Sequence, residues 1–333
     1  MGANLIKSSR VTILQVAEAA GVDRSTVSRV YNQPEMLREA TIERVKSVAM
    51  ELGYSPNPAA RALRTGHIEN ISLIVPDLTN PFIPPIALAV QKESANKGYC
   101  VFIGNADEDP SHEEQLLTRF LDQVSGAILV SPRSHSSVIE AMARRLPIVL
   151  INRDIQGIPR VLIDSGKGMA LAVSHLAHLG HTRLAYIGGP PQSWANEERR
   201  RAVFRAAGEL GISCVEAPAE AASFSAGTQL IDELLTTGAT AFLAFDDVLA
   251  QGIYFGITER GFDVPRDFSL VGCDDIPGLP LLTTVSSQSI LAGKMATDLL
   301  IDSLLLGERS DACKVLETSL ILRNTVAAPR AAS

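Results

Sequence analysis

At 333 residues the chain is too long for one small module and long enough for two or three domains with sizeable cores. A hydrophobic share of 46% against 20% charged residues excludes a disordered chain. The net charge of −7 is unevenly spread: residues 1–66 hold nine Lys/Arg and six Asp/Glu, a net of +3, which leaves −10 for the remainder. A basic N-terminal end can therefore meet phosphates while an acidic body keeps clear of them. No apolar run approaches membrane-spanning length, and residues 1–10 lack the apolar centre of a signal peptide, so a cytoplasmic protein with no membrane partner is expected. Cys100, Cys214, Cys273 and Cys313 show no metal-ligand spacing and lie in or beside apolar stretches, which predicts buried thiols rather than disulfides.

In chain order, Thr12 followed three residues later by Gln15 is a capping box, and Leu14, Val16, Ala17 and Ala20 supply an apolar stripe that stops at Gly21. Asp23 is placed to N-cap a second helix at once, with Val22 before the cap packing on Val27. Two helices joined by so tight a turn predict a helix-turn-helix. On the second helix Val27 and Val30 point inward, while Arg24, Ser25, Ser28 and Arg29 fall on the other side near the N-terminus. Guanidinium and hydroxyl groups there suit base edges and phosphates; two solvated helices of an ordinary bundle are the alternative at this point. Ile42, Val45, Ala49 and Leu52 then repeat at helical spacing as far as Gly53, predicting a third helix that closes a small core. Asn57 and Pro58 open a further helix of about two turns before Gly66, too short to be stable by itself in water.

From Asn70 onward the pattern alternates between short apolar runs and helix-length segments. Runs at 71–75, 99–103, 127–130 and 148–151 are followed by a second series at 184–187, 241–245 and 268–271. Such alternation predicts parallel sheets covered by helices, here as two α/β subdomains with a cleft between their strand ends.

Val11, Thr12, Val16, Ala17, Ala20, Gly21, Val22, the run Thr26, Val27, Ser28, Arg29, Val30, then Asn32 and later Gly53, Tyr54, Ser55, Pro56 and Asn57 keep a spacing that resembles the DNA-binding headpiece of the lactose-repressor (LacI/GalR) family of bacterial transcription regulators. Pro76, Asn80, Pro81 and Phe82, then His175, Gly180 and His181, the pairs Asp246, Asp247 and Asp274, Asp275, and Leu282, Thr283, Thr284 and Val285 are similar to that family's effector-binding core. The resemblance covers nearly the whole chain. It implies an N-terminal all-α helix-turn-helix headpiece over 1–56, a hinge helix over 57–66, and an α/β core over 67–333. The core would hold two doubly wound parallel-sheet subdomains like those of periplasmic binding proteins, the first spanning 67–164 plus 289–316 and the second 165–288 plus 317–333.

The resemblance also implies the partners: pseudo-palindromic double-stranded operator DNA, a small-molecule effector such as a sugar or sugar acid, and a second copy of the chain. A homodimer is expected, with a tetramer as the alternative; residues 303–333 show no heptad tail for it. Repression is the family's default. The DNA-binding set it implies is Thr12, Arg24, Ser25, Thr26, Ser28, Arg29, Asn32, Tyr54, Asn57, Ala60, Arg61 and Leu63, the last as a minor-groove wedge. For the effector it implies Phe82 as a wall, with Asn152, Arg200, Asp246 and Asp274 as polar groups that suit a hydroxylated or anionic molecule. Two departures stand out: Ala202 and Val203 replace the glycine that usually ends the arginine motif, leaving its register open by one, and Cys273 replaces an aromatic residue.

Asp247 and Asp275 are read as caps for loops or helices, and residues 107–109 as a solvated loop. His175, His178 and His181 recur every three residues, but Gly180 breaks the helix before the last, so no metal site is expected. No phosphate-binding loop, nucleophile elbow or cofactor motif is present, and the chain is not expected to be an enzyme. A transporter's solute-binding protein would have no use for residues 11–64, and a sugar-modifying enzyme would have to turn a sugar over. The hinge reading has a direct test. Leu63→Ala should lower specific operator affinity and DNA bending while largely sparing salt-dependent non-specific binding, because the wedge carries no charge; gel-shift and bending assays at fixed salt that found both unchanged would reduce the stretch to a linker.

Overall fold

The computed structural model describes residues 11–55, 68–219, 221–307 and 310–330. The chain divides into two compact units, Met1–Ile68 and Glu69–Ser333. The expected hinge over 57–66, with Asn57, Ala60, Arg61 and Leu63, lies outside the described residues.

In the first unit three helices, α1 (Ile13–Ala20), α2 (Arg24–Asn32) and α3 (Glu39–Glu51), enclose Val16, Ala17, Ala20, Val27, Val30, Val45 and Ala49. Helix α1 starts on the capping box of Thr12 and Gln15 and ends at Gly21, whose φ of 64° lets the chain turn sharply into α2. Val22 packs on this core from the turn. Three local expectations are corrected. Asp23 occupies the N-cap position of α2 but its side chain accepts no capping hydrogen bond. Leu14, at 60% exposure, lies off the buried stripe, which Val16, Ala17 and Ala20 form with partly buried Ile13 beside them. Leu52 sits past the last turn of α3 and is also exposed.

The second unit holds two parallel sheets. The first has strand order β11-β5-β4-β3-β1-β2, built from β1 (Asn70–Val75), β2 (Cys100–Asn105), β3 (Gly126–Val130), β4 (Ile148–Ile151), β5 (Arg160–Ile163) and β11 (Cys313–Leu316). The second is β7-β6-β8-β9, from β6 (Arg183–Gly188), β7 (Ser213–Pro218), β8 (Ala241–Ala244) and β9 (Ser269–Val271). A short antiparallel pair, β10 (Thr284–Val285) with β12 (Leu320–Ile321), lies beside them. Strands β3, β4 and β8 are buried along their whole length, which is why they read as unbroken apolar runs rather than as alternation; β5 is equally buried but opens on Arg160 and does not read as one.

Helices cover both faces of each sheet. Against the first lie α4 (Ile83–Asn96) and α12 (Ser289–Leu306) on one side, with α5 (Pro110–Phe120) and α6 (Ser136–Ala143) on the other. The second is covered by α7 (Ser165–His178) and α8 (Trp194–Glu209) on one side, and by α9 (Phe224–Gln229), α10 (Ile231–Thr236) and α11 (Asp247–Glu259) on the other. The chain crosses between the sheets three times: from β5 to α7, from β10 to α12, and from β11 to β12. Among the described residues no helix is long and apolar enough to cross a membrane.

All four cysteines are free, but only Cys273 is buried; Cys100 and Cys313 are exposed because β2 and β11 are the two edges of the first sheet. His181 is buried between the Thr240 hydroxyl at 2.8 Å and the Ala327 carbonyl at 2.9 Å, tying the turn after α7 to the C-terminal segment.

Candidate functional site

Helix α2 divides as its periodicity demands. Val27 and Val30 are buried, Arg24, Ser25 and Arg29 are exposed, and Thr26, Ser28 and Asn32 are half-buried. The Asn32 amide donates to the Ser28 carbonyl, one turn back on its own helix. Tyr54 is half-buried with its ring 6.2 Å from that of Tyr31, and Thr12 is exposed while capping α1. This leaves Arg24, Ser25 and Arg29 as the open polar groups of the helix.

In the second unit the C-terminal ends of both sheets face one another across a narrow cleft. Phe82, Glu108, Ser131, Arg133 and Asn152 line it from loops after β1, β2, β3 and β4. Opposite them stand Ser193, Arg199, Phe245, Asp246 and Asp274, after β6, β8 and β9 and on α8. Strand ends are where a parallel sheet leaves its backbone free to turn and its side chains free to converge. Glu108, Ser131, Asn152 and Asp274 all carry positive φ, between 43° and 108°, a strained backbone for residues with a Cβ.

The arrangement corrects one sequence assignment. Arg199, not Arg200, enters the cleft: Arg199 is 3% exposed and donates to the Ser165 hydroxyl at 2.9 Å, the Phe245 carbonyl and the Asp274 carboxylate at 2.7 Å. Arg200 points outward to Glu216 at 2.8 Å and Glu197 at 3.9 Å. On α8 the buried face runs through Ala195, Asn196, Arg199, Ala202, Val203 and Ala206, and Arg200 lies about a quarter-turn off it. Phe82, Asn152, Asp246 and Asp274 line the cleft.

Residues 107–109 are not simply a solvated loop. Glu108 grips Arg133 through two bonds of 2.5 and 3.0 Å at the cleft wall, and Asp109 caps α5 by accepting from Ser111 N–H at 2.7 Å. Sequence reading also missed Asn80 as a cleft residue. Its amide donates 3.1 Å to Asp246 from the opposite sheet, so the two halves already touch. For Glu108 and Arg133 the available signal was position alone, just past β2 and β3.

Burial pushes the Asp246 carboxyl up to about 6, with the neighbouring Asp274 charge adding to it against the Leu249 N–H, Arg199 and Asn80. Burial likewise pushes Asp247 up to about 8, although the Thr284 hydroxyl at 2.6 Å and the Ile276 N–H at 2.9 Å favour its charged form. Asp247 thus ties α11 to β10 and the loop after β9, and Asp275 pairs with Arg323 at 2.6 Å. For Arg199, burial disfavours the charge but Asp274 and the surrounding groups hold it firmly protonated.

Comparisons with known proteins follow this geometry. Residues 12–57 match the model for bacterial regulatory proteins of the lacI family, and residues 173–326 the model for a periplasmic binding protein-like domain. The transcriptional regulator GalR of Escherichia coli is 31% identical over 337 residues, covering 96% of each chain. The chain belongs to the LacI family of bacterial transcriptional regulators. DegA of Bacillus subtilis, another transcriptional regulator, is 33% identical over 83% of this chain and 86% of its own. Among solved structures, a Lac repressor dimer bound to operator and the anti-inducer ONPF superposes with a TM-score of 0.87 at 28% identity, covering 96% of this chain and 100% of that one.

Two outcomes follow from the cleft. Arg199→Met strands the buried Asp274 carboxylate and should cost about 3–5 kcal/mol in urea unfolding, whereas Arg200→Met should stay within about 0.5 kcal/mol; equal losses would overturn the assignment. Because the folded carboxyl of Asp247 holds its proton above the unfolded range, its contribution to stability is greatest in acid and is lost as pH rises toward about 8. Asp247→Asn should therefore gain on the wild type between pH ~5 and ~8, by up to about 1.4 kcal/mol per pH unit. A gap between the two that does not change with pH would contradict the raised carboxyl.

Proposed function

We propose that this LacI-family regulator binds pseudo-palindromic operator DNA as a dimer, that α2 reads bases in the major groove, and that a small hydroxylated or anionic effector held in the cleft sets operator affinity. The observation that carries the effector half is the contact of Asn80 with Asp246 between the two sheets. A ligand entering there must replace or bridge a bond linking both halves, so its binding energy depends on how they are oriented. Arg199, Asp274, Asp246 and Asn152 supply the polar recognition, and Phe82 and Phe245 the apolar walls.

The dimer reading is supported by apolar side chains left in the open on the second subdomain: Phe224 at 40% and Phe255 at 45% exposure, their rings 5.5 Å apart. A second copy covers such a patch, and two headpieces on one body then read two half-sites at once. The relatives' operator and anti-inducer, named for the Lac repressor, agree with this reading.

Thermal-shift screening of the full chain against sugars, sugar acids and nucleobases, followed by operator titration with each hit, tests it. A hit that raises the melting temperature should change operator affinity; ligands that stabilise the protein and leave operator affinity unchanged would break the coupling. Replacing Arg24, the exposed arginine that opens α2, should cost about 1–3 kcal/mol at one base pair per half-site. A uniform loss across operator variants would make Arg24 a phosphate contact instead.

A further inference from the structure

Outside the cleft, a second hollow lies at the crossover from β10 to α12. Its walls are Asp275, residues 286–291 and Lys294. Helix α12 is 18 residues long, yet nothing caps its start: Gln288 sits at the N-cap with φ 48° and turns its side chain away to donate to the Glu317 carbonyl. Among the described residues, the N–H groups of Ser289, Ile290 and Leu291 have no acceptor. Orphan donors at the positive end of a long helix attract negative charge.

A second, independent feature points the same way. Ser287 is only 8% exposed and lines the hollow, and among the described residues its hydroxyl has no hydrogen-bond partner. Most of the residue is covered, yet its hydroxyl keeps access to solvent beside the hollow where the helix N–H groups gather.

The local charges agree. Lys294, one turn into α12 and exposed, makes no ion pair among the described residues. The acidic groups nearby are already neutralised, Asp275 by Arg323 at 2.6 Å and Glu317 by Lys167 at 3.4 Å.

We propose that this hollow binds a phosphate-type dianion, held by the N–H groups of residues 289–291, the Ser287 hydroxyl and the Lys294 ammonium. The site spans one of the three crossovers, so an occupant restrains a segment about which the two sheets turn. It is separate from the effector cleft, with which it shares no lining residue.

The test uses the full chain and inorganic phosphate against chloride at matched ionic strength. Hydrogen exchange at the amides of 289–291 should slow with phosphate in the wild type, and the apparent phosphate affinity should fall about ten-fold in Lys294→Gln and in Ser287→Ala. Both substitutions are small and one is on the surface, so folding should survive. Unaltered exchange at these amides in wild-type protein overturns the proposal. So does a phosphate affinity that stays at the wild-type value in either variant, which would put the ion elsewhere, for example on the basic headpiece.

Discussion

The buried guanidinium of Arg199 is the contact on which the second subdomain's side of the cleft depends. It joins Ser165 at the start of α7, the carbonyl of Phe245 after β8 and the carboxylate of Asp274 after β9, while its carbon lies 4.7 Å from the centre of the Phe245 ring. A charge removed from water is tolerated only when it is paired and hydrogen-bonded, and here three guanidinium N–H groups go to three separate elements. The consequence is a wall whose polar groups are prepositioned, with positive φ at Asp274 held in place by the pair it makes.

Motion of the two sheets is channelled by the crossovers, which are bonded to one another rather than running freely. Asp164 N–H donates to the Leu316 carbonyl at 2.9 Å, the Thr318 hydroxyl to the Asp164 carbonyl at 2.7 Å, and Ser286 N–H to the Ser319 carbonyl at 2.9 Å. Gly168 lets α7 approach this bundle, since a Cβ there would meet Val285 at 2.2 Å. Bonded in this way, the three crossovers form one shared connection between the two sheets. Away from the crossovers, Asn80 bonds Asp246 across the cleft, Ile276 packs into the first sheet's core, and Glu108 holds Arg133 at the first sheet's rim.

Charge follows the same division of labour. The first 66 residues are net basic and the rest acidic, so phosphates are attracted to the end that carries exposed Arg24 and Arg29 and repelled by the larger body. Within the body, carboxyl groups are gathered at Asp246, Asp247 and Asp274, where burial raises the first two. Such a cluster is costly in the absence of donors and is eased by an arginine or by the hydroxyls of a ligand.

The sequence by itself determined whatever local physics decides. The capping box of Thr12 and Gln15, the left-handed stop at Gly21 and the three-four spacing of Val27 and Val30 set the headpiece helices, and unbroken apolar runs announced the buried parallel strands. Edge strands were less legible: β7 carries Glu216 and Pro218 and β11 is half open to solvent, so neither looks apolar. Only the tertiary structure decided which arginine enters the cleft. A helix turns about 100° per residue, so Arg199 and Arg200 face different ways, and the choice between them belongs to the sheet that α8 lies on, assembled from strands far apart in the chain. The same holds for Asn80 with Asp246, 166 residues apart, whose meeting depends on three crossovers bringing two sheets edge to edge.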